Sequence, residues 1–426
     1  MEPSDLLFRR EAGRMIAALT RIFGVHNLAL AEDVVQDAFC RAVEVWKFRG
    51  MPENPSAWLM ATAKNRALDV LRRQRTAHTF APELGQLLES EWTLAPVVEE
   101  IFAPNAIKDD LLRMMFSCCH PRLAEEARVA LILHILCGFS VGEVASAFMS
   151  GHAAIEKRIS RGKKVLAGSK RLFDVTVPID FSVRLPAVHR ALYLLFSEGY
   201  HGASTHAAVR AELCHEAMRL AAVLLKHPLG ATPATSALCA LMCLTAARLP
   251  ARLDAAGNLN SLIDQDRSLW DRRLVLEGMS FLELSATGSE LTGYHIEAAI
   301  ASIHSTAPDI TATDWKTIVS LYDTLMVIQP SPIVALNRAI AVAQHEGSAR
   351  GLDEIEAIAH RDRLAAYPFY SAALGELELR RGSLATARKH FRAALALARN
   401  PMERRFLEQR AHACERGDTP PVGKQL

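Results

Sequence analysis

The stretch Ser140-Val-Gly-Glu-Val-Ala-Ser-Ala-Phe-Met-Ser-Gly-His-Ala-Ala-Ile-Glu-Lys-Arg-Ile-Ser-Arg-Gly-Lys-Lys-Val-Leu-Ala167 reads as two helices joined by a tight turn. The Ser140 hydroxyl can accept an amide proton that a first helical turn leaves unpaired. It therefore caps a helix from Val141 to about Phe148, and Glu143 at the third helical position completes a capping box. Met149-Ser-Gly151 makes the turn. A second helix, from His152 to about Ala167, places Ala154, Ile155, Ile159 and Val165 on an apolar side. Lys157, Arg158, Arg161 and Lys164 recur at three- and four-residue spacing and share a broad basic face. Two short helices, the second one basic, form the pattern of a helix-turn-helix whose second helix enters the DNA major groove. An ordinary packed hairpin with a basic exterior has the same pattern, so this stretch alone leaves both readings open.

Outward from it, periodicity is helical nearly everywhere, as at Leu6, Ala17 and Ile22 and at Val34, Val35, Phe39 and Val43. Only Phe173–Val177 resembles a strand, and the expected fold class is all-α. The chain has 426 residues, 50% apolar and 6% aromatic, enough for two to four domains with helical cores. Eight cysteines without regular spacing do not make a disulfide framework. The apolar runs Val129–Phe139, interrupted by His134, and Ala237–Ala247 fall short of the roughly 18–20 residues that span a bilayer. The N-terminal residues have no basic segment followed by an apolar core. A cytoplasmic protein with reduced thiols and no membrane partner is the expectation.

Net charge is only +2, so any electrostatic function rests on local segregation. Residues 62–78 carry a net +4, residues 79–112 a net −6 and residues 152–171 a net +6. Two basic helices therefore flank an acidic stretch punctuated by Pro82, Pro96 and Pro104. The first basic helix starts at Pro55-Ser56, with Ser56 as its expected cap. Trp58, Leu59, Ala63, Leu68 and Leu71 face inward, and Lys64, Asn65, Arg66, Asp69, Arg72 and Arg73 face outward. The preceding loop, Phe48-Arg-Gly-Met-Pro-Glu-Asn-Pro55, sets an aromatic, a glycine and an amide beside that helix. Such a loop suits capture of an unstacked base with phosphate contacts nearby, or it is an ordinary loop with Phe48 in the core.

Other chemistry finds little support. Glycine-rich phosphate loops, H-E-x-x-H and G-x-S-x-G are absent, and Arg161-Gly-Lys-Lys lacks the upstream glycine of a P-loop, so neither an enzyme nor a cofactor is expected. Cys118, Cys119 and His120 are adjacent, with Cys214-His215, His201 and His206 further on. No C-x-x-C pair exists, and no metal is expected.

Taken in order, three segments resemble region two of a bacterial sigma factor of the extracytoplasmic-function group. They are Ala31-Glu-Asp-Val-Val-Gln-Asp-Ala-Phe39, Trp46-Lys-Phe-Arg-Gly50 and Pro55-Ser-Ala-Trp-Leu-Met-Ala-Thr-Ala-Lys-Asn-Arg-Ala-Leu-Asp-Val-Leu-Arg-Arg73. Residues 110–168 resemble region four of that group. Phe116-Ser-Cys-Cys-His-Pro121, Leu194-Leu-Phe-Ser-Glu-Gly-Tyr200, Asp264-Gln-Asp-Arg-Ser-Leu-Trp-Asp271, Tyr322-Asp-Thr-Leu325 and Pro330-Ser-Pro-Ile-Val-Ala-Leu-Asn-Arg338 resemble one subgroup with a long helical C-terminal extension ending in tetratricopeptide-like repeats.

The repeats are also readable directly. Leu374, Gly375, Ala387, Phe391 and Ala394 sit at tetratricopeptide packing positions within 368–401, and Gly347 and Gly382 mark equivalent turns 35 residues apart. Ile318, Tyr322, Leu325 and Pro330 fit an earlier unit, and 333–366 is degenerate, with Leu352 and Glu356 at the small and aromatic positions. A short solenoid of this kind usually offers a groove to a protein or peptide.

The resemblance implies that Asp33, Gln36, Asp37 and Arg41 dock on the clamp helices of the RNA polymerase β′ subunit, with region four on the β flap. It implies that Phe48 and Arg49 capture a base of the −10 promoter element, with Lys64, Asn65, Arg66, Arg72 and Arg73 on base edges or phosphates. Asp69 then orients an arginine. His152, Lys157, Arg158, Arg161 and Lys163 are implied to face the −35 element, where Glu156 reads a cytosine amino group or repels phosphate. The expected organisation is region two over 1–78, a flexible acidic linker over 79–109 that threads toward the RNA exit channel, and region four over 110–172. A regulatory helical extension over 173–312, repeats over 313–416 and a disordered tail over 417–426 follow. The alternative is a ligand-responsive helix-turn-helix regulator that binds duplex DNA without polymerase.

Overall fold

The computed structural model describes residues 3–77, 109–168, 178–202 and 207–416. Residues 79–108 of the expected linker, the Phe173–Val177 stretch and the tail over 417–426 lie outside the described residues. The chain is all-α, with eighteen α-helices and no β-strand among the described residues. It forms two compact units, one of Met1–Leu192 with Lys226–Gly230, the other of Tyr193–Leu225 with Ala231–Leu426.

In the first unit, α1 (Pro3–Phe23), α2 (Leu28–Arg49) and α3 (Pro55–Ala77) pack through stripes of helical period. Leu28, Ala31, Val34, Val35, Ala38 and Ala42 are the buried side of α2, and Leu59, Ala63, Ala67 and Leu71 that of α3. The cap of α3 is Asn54 rather than Ser56. Its side-chain oxygen accepts from the Ala57 amide at 3.0 Å, and its carbonyl accepts from the Trp58 amide at 3.1 Å. Pro55 thus occupies the first helical position, where its fixed φ fits and its missing N–H costs nothing.

Helices α4 (Asp110–Cys118) and α5 (Glu125–Leu131) come next, the latter continuing as a wider turn through Ile132–Leu136. His134 inside this apolar run bonds through Nδ1 to the Phe139 carbonyl at 2.8 Å, which accommodates a polar ring there. Helix α6 (Val141–Ala147) has the full capping box. The Glu143 amide donates to the Ser140 hydroxyl at 3.1 Å, and the Ser140 amide donates to the Glu143 carboxylate at 2.8 Å. Helix α7 (His152–Ala167) buries Ile155, Ile159, Gly162 and Leu166. Ala154 is exposed and Val165 only half-buried, a correction to the expected stripe. At 3.6 residues per turn, positions seven and eleven beyond Ile155 share its side, and Ala154 falls off it. A Cβ on Gly162 would lie 2.5 Å from Leu131 Cδ1, so α7 approaches α5 more closely than a larger residue there allows. The first turns of α8 (Pro178–His201) add Phe181, stacked 4.5 Å from Phe116 and 4.9 Å from His227.

The second unit holds the end of α8, α9 (Ala211–Leu225), α10 (Pro233–Ala246), α11 (Arg272–Ser285) and α12 (Gly293–Thr306). By mean hydropathy the segment Pro233–Ala251 is long and apolar enough to cross a membrane, although its uninterrupted apolar run is shorter. It is nevertheless a core element here, with 83% of its most apolar window buried within the fold. The unit ends in α13 (Trp315–Ile328), α14 (Pro332–Glu346), α15 (Ser348–Glu356), α16 (Pro368–Arg380), α17 (Leu384–Ala396) and α18 (Pro401–Arg416).

Gly347 and Gly382, with φ of 99° and 80°, make the equivalent turns between α14 and α15 and between α16 and α17. The packing positions are not related by the same step. Ala339, Gly351, Ile355 and Ile358 are buried where Gly375, Ala387, Phe391 and Ala394 are buried one repeat later, an offset of 36 residues rather than 35. The aromatic position of the earlier repeat is therefore filled by Ile355, with Glu356 exposed, and its small position by Gly351 rather than Leu352. Ile355→Ala should cost about 2–5 kcal/mol of unfolding free energy, and Glu356→Ala less than about 0.5 kcal/mol, in chemical denaturation of the full chain.

Candidate nucleic-acid interface

Helix α2 presents Asp33, Gln36, Asp37 and Arg41, all exposed, on the side opposite buried Val34 and Val35. Its C-terminus is held from below. Trp46 meets the edge of Trp58 on α3 at 5.5 Å, and Phe39 stacks on Phe8 at 4.7 Å. Four residues past Trp46 the helix ends and the chain turns. Gly50 adopts φ of 76°, and its amide donates to the Trp46 carbonyl at 3.0 Å. Nothing lies within 4 Å of the place a Cβ would take, so the backbone angle and not crowding calls for glycine. Phe48 and Arg49 belong to the last turn of α2, not to the loop as expected, and lie on its solvent side, with Phe48 85% exposed and Arg49 also exposed; Met51, beyond the glycine, is 53% exposed. The core reading of Phe48 therefore fails.

Beside that apolar tip runs the polar face of α3. Asn65, Arg66, Asp69, Arg72 and Arg73 are exposed and Lys64 is half-buried. Arg66 Nε bonds Asp37 Oδ2 at 3.1 Å, which ties α3 to the polar face of α2. Asp69 stands 4.0 Å from Arg72. Both pairs are exposed, and such pairs contribute about 0–1 kcal/mol.

On α7, His152, Lys157 and Arg161 are exposed. The other two candidates point elsewhere. Arg158 pairs with Glu126 at 3.0 Å, and Lys163 Nζ reaches Glu32 on α2 at 2.7 Å. The open side of α7 is a shallow groove lined by Ala153, Glu156, Lys157, Ser160, Arg161 and Lys164. Ala153 and Ser160 went unnoticed in a reading that weighed cations. Their spacing of three, four, seven, eight and eleven from Ala153 marks one helix face, and two small residues there permit close approach to another surface.

Cys118 and Cys119 are buried, and burial pushes the Cys119 thiol up to about 12, which keeps it protonated at neutral pH. No group of three or more His, Cys, Asp or Glu side chains that could hold a metal occurs among the described residues.

Comparison with known proteins bears on this arrangement. Residues 7–77 match the family description of sigma-70 region 2, and residues 184–286 match a family of unknown function designated DUF6596. An uncharacterized protein of Rhizobium meliloti (strain 1021) is 37% identical over 405 residues, which cover 95% of this chain and 94% of the relative. The RNA polymerase sigma factor CarQ of Myxococcus xanthus is 31% identical over 163 residues, 38% of this chain and 84% of the relative. The ECF RNA polymerase sigma factor SigX of Bacillus subtilis (strain 168) is 23% identical over 137 residues, 32% of this chain and 68% of the relative. No solved structure matches.

Because Phe48 has little packing to lose, Phe48→Ala should change stability by less than about 0.5 kcal/mol, whereas Leu59→Ala under the same helix should cost about 2–5 kcal/mol, as read by thermal unfolding.

Proposed function

The chain belongs to the extracytoplasmic-function group of RNA polymerase sigma factors, with a long helical extension, and on that premise we propose how its two basic surfaces divide the work of promoter recognition. It is an alternative sigma factor, a member of a family of initiation factors that are not enzymes. In the proposed reading, the α2 face of Asp33, Gln36, Asp37 and Arg41 docks on core polymerase. Phe48, Arg49 and the exposed face of α3 hold a base flipped out of the −10 element. The α7 face of His152, Lys157 and Arg161 lies on the −35 element.

The observation that carries this is Phe48 itself. A large aromatic left in water forgoes about 1.5–3 kcal/mol of burial, and here it stands beside a row of cations. Stacking of an unpaired base on an aromatic, with neighbouring phosphates on Arg and Lys, uses both features. We place the acidic linker near the RNA exit channel and assign regulation to the helical extension, whose repeats are suited to a protein or peptide partner.

The same reading requires the first unit to open. By their names the −10 and −35 elements are centred about 25 base pairs apart, or about 85 Å at 3.4 Å per base pair. The bond of Lys163 to Glu32 instead holds α7 against α2, with 32% and 22% of the two side chains exposed. Partly exposed pairs contribute about 1 kcal/mol, little enough for polymerase binding to reverse.

With core polymerase and a promoter from the source genome, the full chain should give promoter-specific transcripts. Phe48→Ala should cut open-complex formation about tenfold or more. Lys157→Gln with Arg161→Gln should weaken promoter binding and lower the log–log salt slope by about 2. Absence of transcripts, with a duplex shift by the protein alone, would favour the ligand-responsive regulator. Dyes on exposed Cys40 and on an Ala153→Cys variant should move apart by tens of ångströms when core polymerase is added, and Lys163→Met should enlarge the open fraction of the free protein. Unchanged energy transfer on both counts would disprove the opening.

A further inference from the structure

The second unit contains a cavity of about 350 Å³ that the promoter reading does not use. One wall comes from α14, α16 and α18, and the opposite wall from the end of α8 and the loop over 252–263. That loop is firmly built. The Asp254 carboxylate accepts from the amides of Ala256 at 2.9 Å and Asn258 at 2.8 Å. Asp264, at the loop's end, accepts from the Ser261 hydroxyl at 2.6 Å and from Arg410 on α18 at 2.8 Å, and Arg405 donates to the Gly257 carbonyl at 3.4 Å. The loop thus packs against α18 and closes one side of the space beside α14 and α16. That space has the size of a small-molecule site.

Its chemistry is two-sided. Tyr367, Phe369, Phe391, Phe406, Leu336 and Ile340 supply apolar surface. Arg252, Arg380 and Arg410 supply three cations against one lining carboxylate, Glu376, which stands 3.5 Å from Arg380 and 3.8 Å from Arg410. Arg410 has Asp264 as well, so the excess resides at Arg252. No carboxylate lies within 4.0 Å of Arg252 among the described residues. One of its terminal nitrogens donates to the Asn260 carbonyl at 3.2 Å, its plane lies 4.9 Å over the Tyr200 ring, and its Nε is buried with no acceptor. Burial, helped by neighbouring Arg248, lowers its pKa from the ordinary arginine value, as expected of a cation held without a counter-ion.

We propose that this cavity binds a small amphipathic carboxylate, its apolar body against the aromatic wall and its carboxylate on the guanidinium of Arg252. A planar fork of donors matches a carboxylate in two parallel bonds, and an apolar pocket with one unneutralised cation selects for such a ligand over a neutral or cationic one of equal length. The site stands independently of how the first unit meets DNA.

The test is calorimetric titration of the full chain with decanoate, decanol and decylamine, each below its micellar concentration. Decanoate should bind at least about tenfold more tightly than decanol, with decylamine weakest. Arg252→Met should abolish the preference for decanoate and leave decanol binding unchanged, and Ala373→Leu, which narrows the cavity, should weaken both. The proposal is overturned if decanoate binds no better than decanol, if a folded Arg252→Met variant keeps the preference, or if Ala373→Leu changes neither affinity. Should Arg252→Met fail to fold, the comparison of the three ligands on the unaltered chain and the Ala373→Leu variant decide the matter.

Discussion

Helix α7 packs so close to α5 at Gly162 that a Cβ there would meet the Leu131 side chain at 2.5 Å, and this contact fixes the side that α7 turns inward. With Ile155, Ile159, Gly162 and Leu166 turned inward, rotation of α7 about its axis is no longer free. The outward side is then dictated as Ala153, Glu156, Lys157, Ser160, Arg161 and Lys164, and the flanks fall to Arg158 and Lys163. Those two flanking cations find carboxylates, Glu126 and Glu32. A steric constraint thus sorts five basic residues into those left for a ligand and those that tie helices together.

A parallel division operates at the end of α2. Trp46 and Phe39 of α2 meet Trp58 and Phe8, whereas Phe48 falls on the solvent side of the helix's last turn, and the positive φ of Gly50 ends the helix just after it. Stability is supplied on the inner side of α2 and exposure is kept at the outer side of its last turn. Such separation lets a protein hold an apolar side chain in water at a defined place without weakening the fold that presents it.

In the second unit the same economy shapes the repeats. Helices α14 to α18 pack in sequence, and one surface of theirs is met by the hydrogen-bonded loop from the preceding helical region. Two of the three cations in the resulting cavity are balanced by Asp264 and Glu376, and Arg252 is not. Functional surplus charge stands out only against this background of paired neighbours.

Much of this was legible in the chain itself. Helical period, the Ser140–Glu143 box, the Gly347 and Gly382 turns and the segregation of charge depend on residues a few positions apart, and local spacing controls local backbone bonding. The exposed polar faces of α2 and α3 were legible for the same reason. The one-residue change of register at Gly351 and Ile355 was not, because it is set by what α14 presents to α15. Nor was the fate of Arg158 and Lys163, whose carboxylate partners stand 32 and 131 positions away in sequence. Nor was the exposure of Phe48, which follows from the side of α2 that packs on its neighbours. The sequence by itself determined an all-α chain with two basic helices and a long helical extension. Only the tertiary structure decided which cations stay open and which apolar groups stay wet, since charge pairing and burial are settled between residues that meet only on folding.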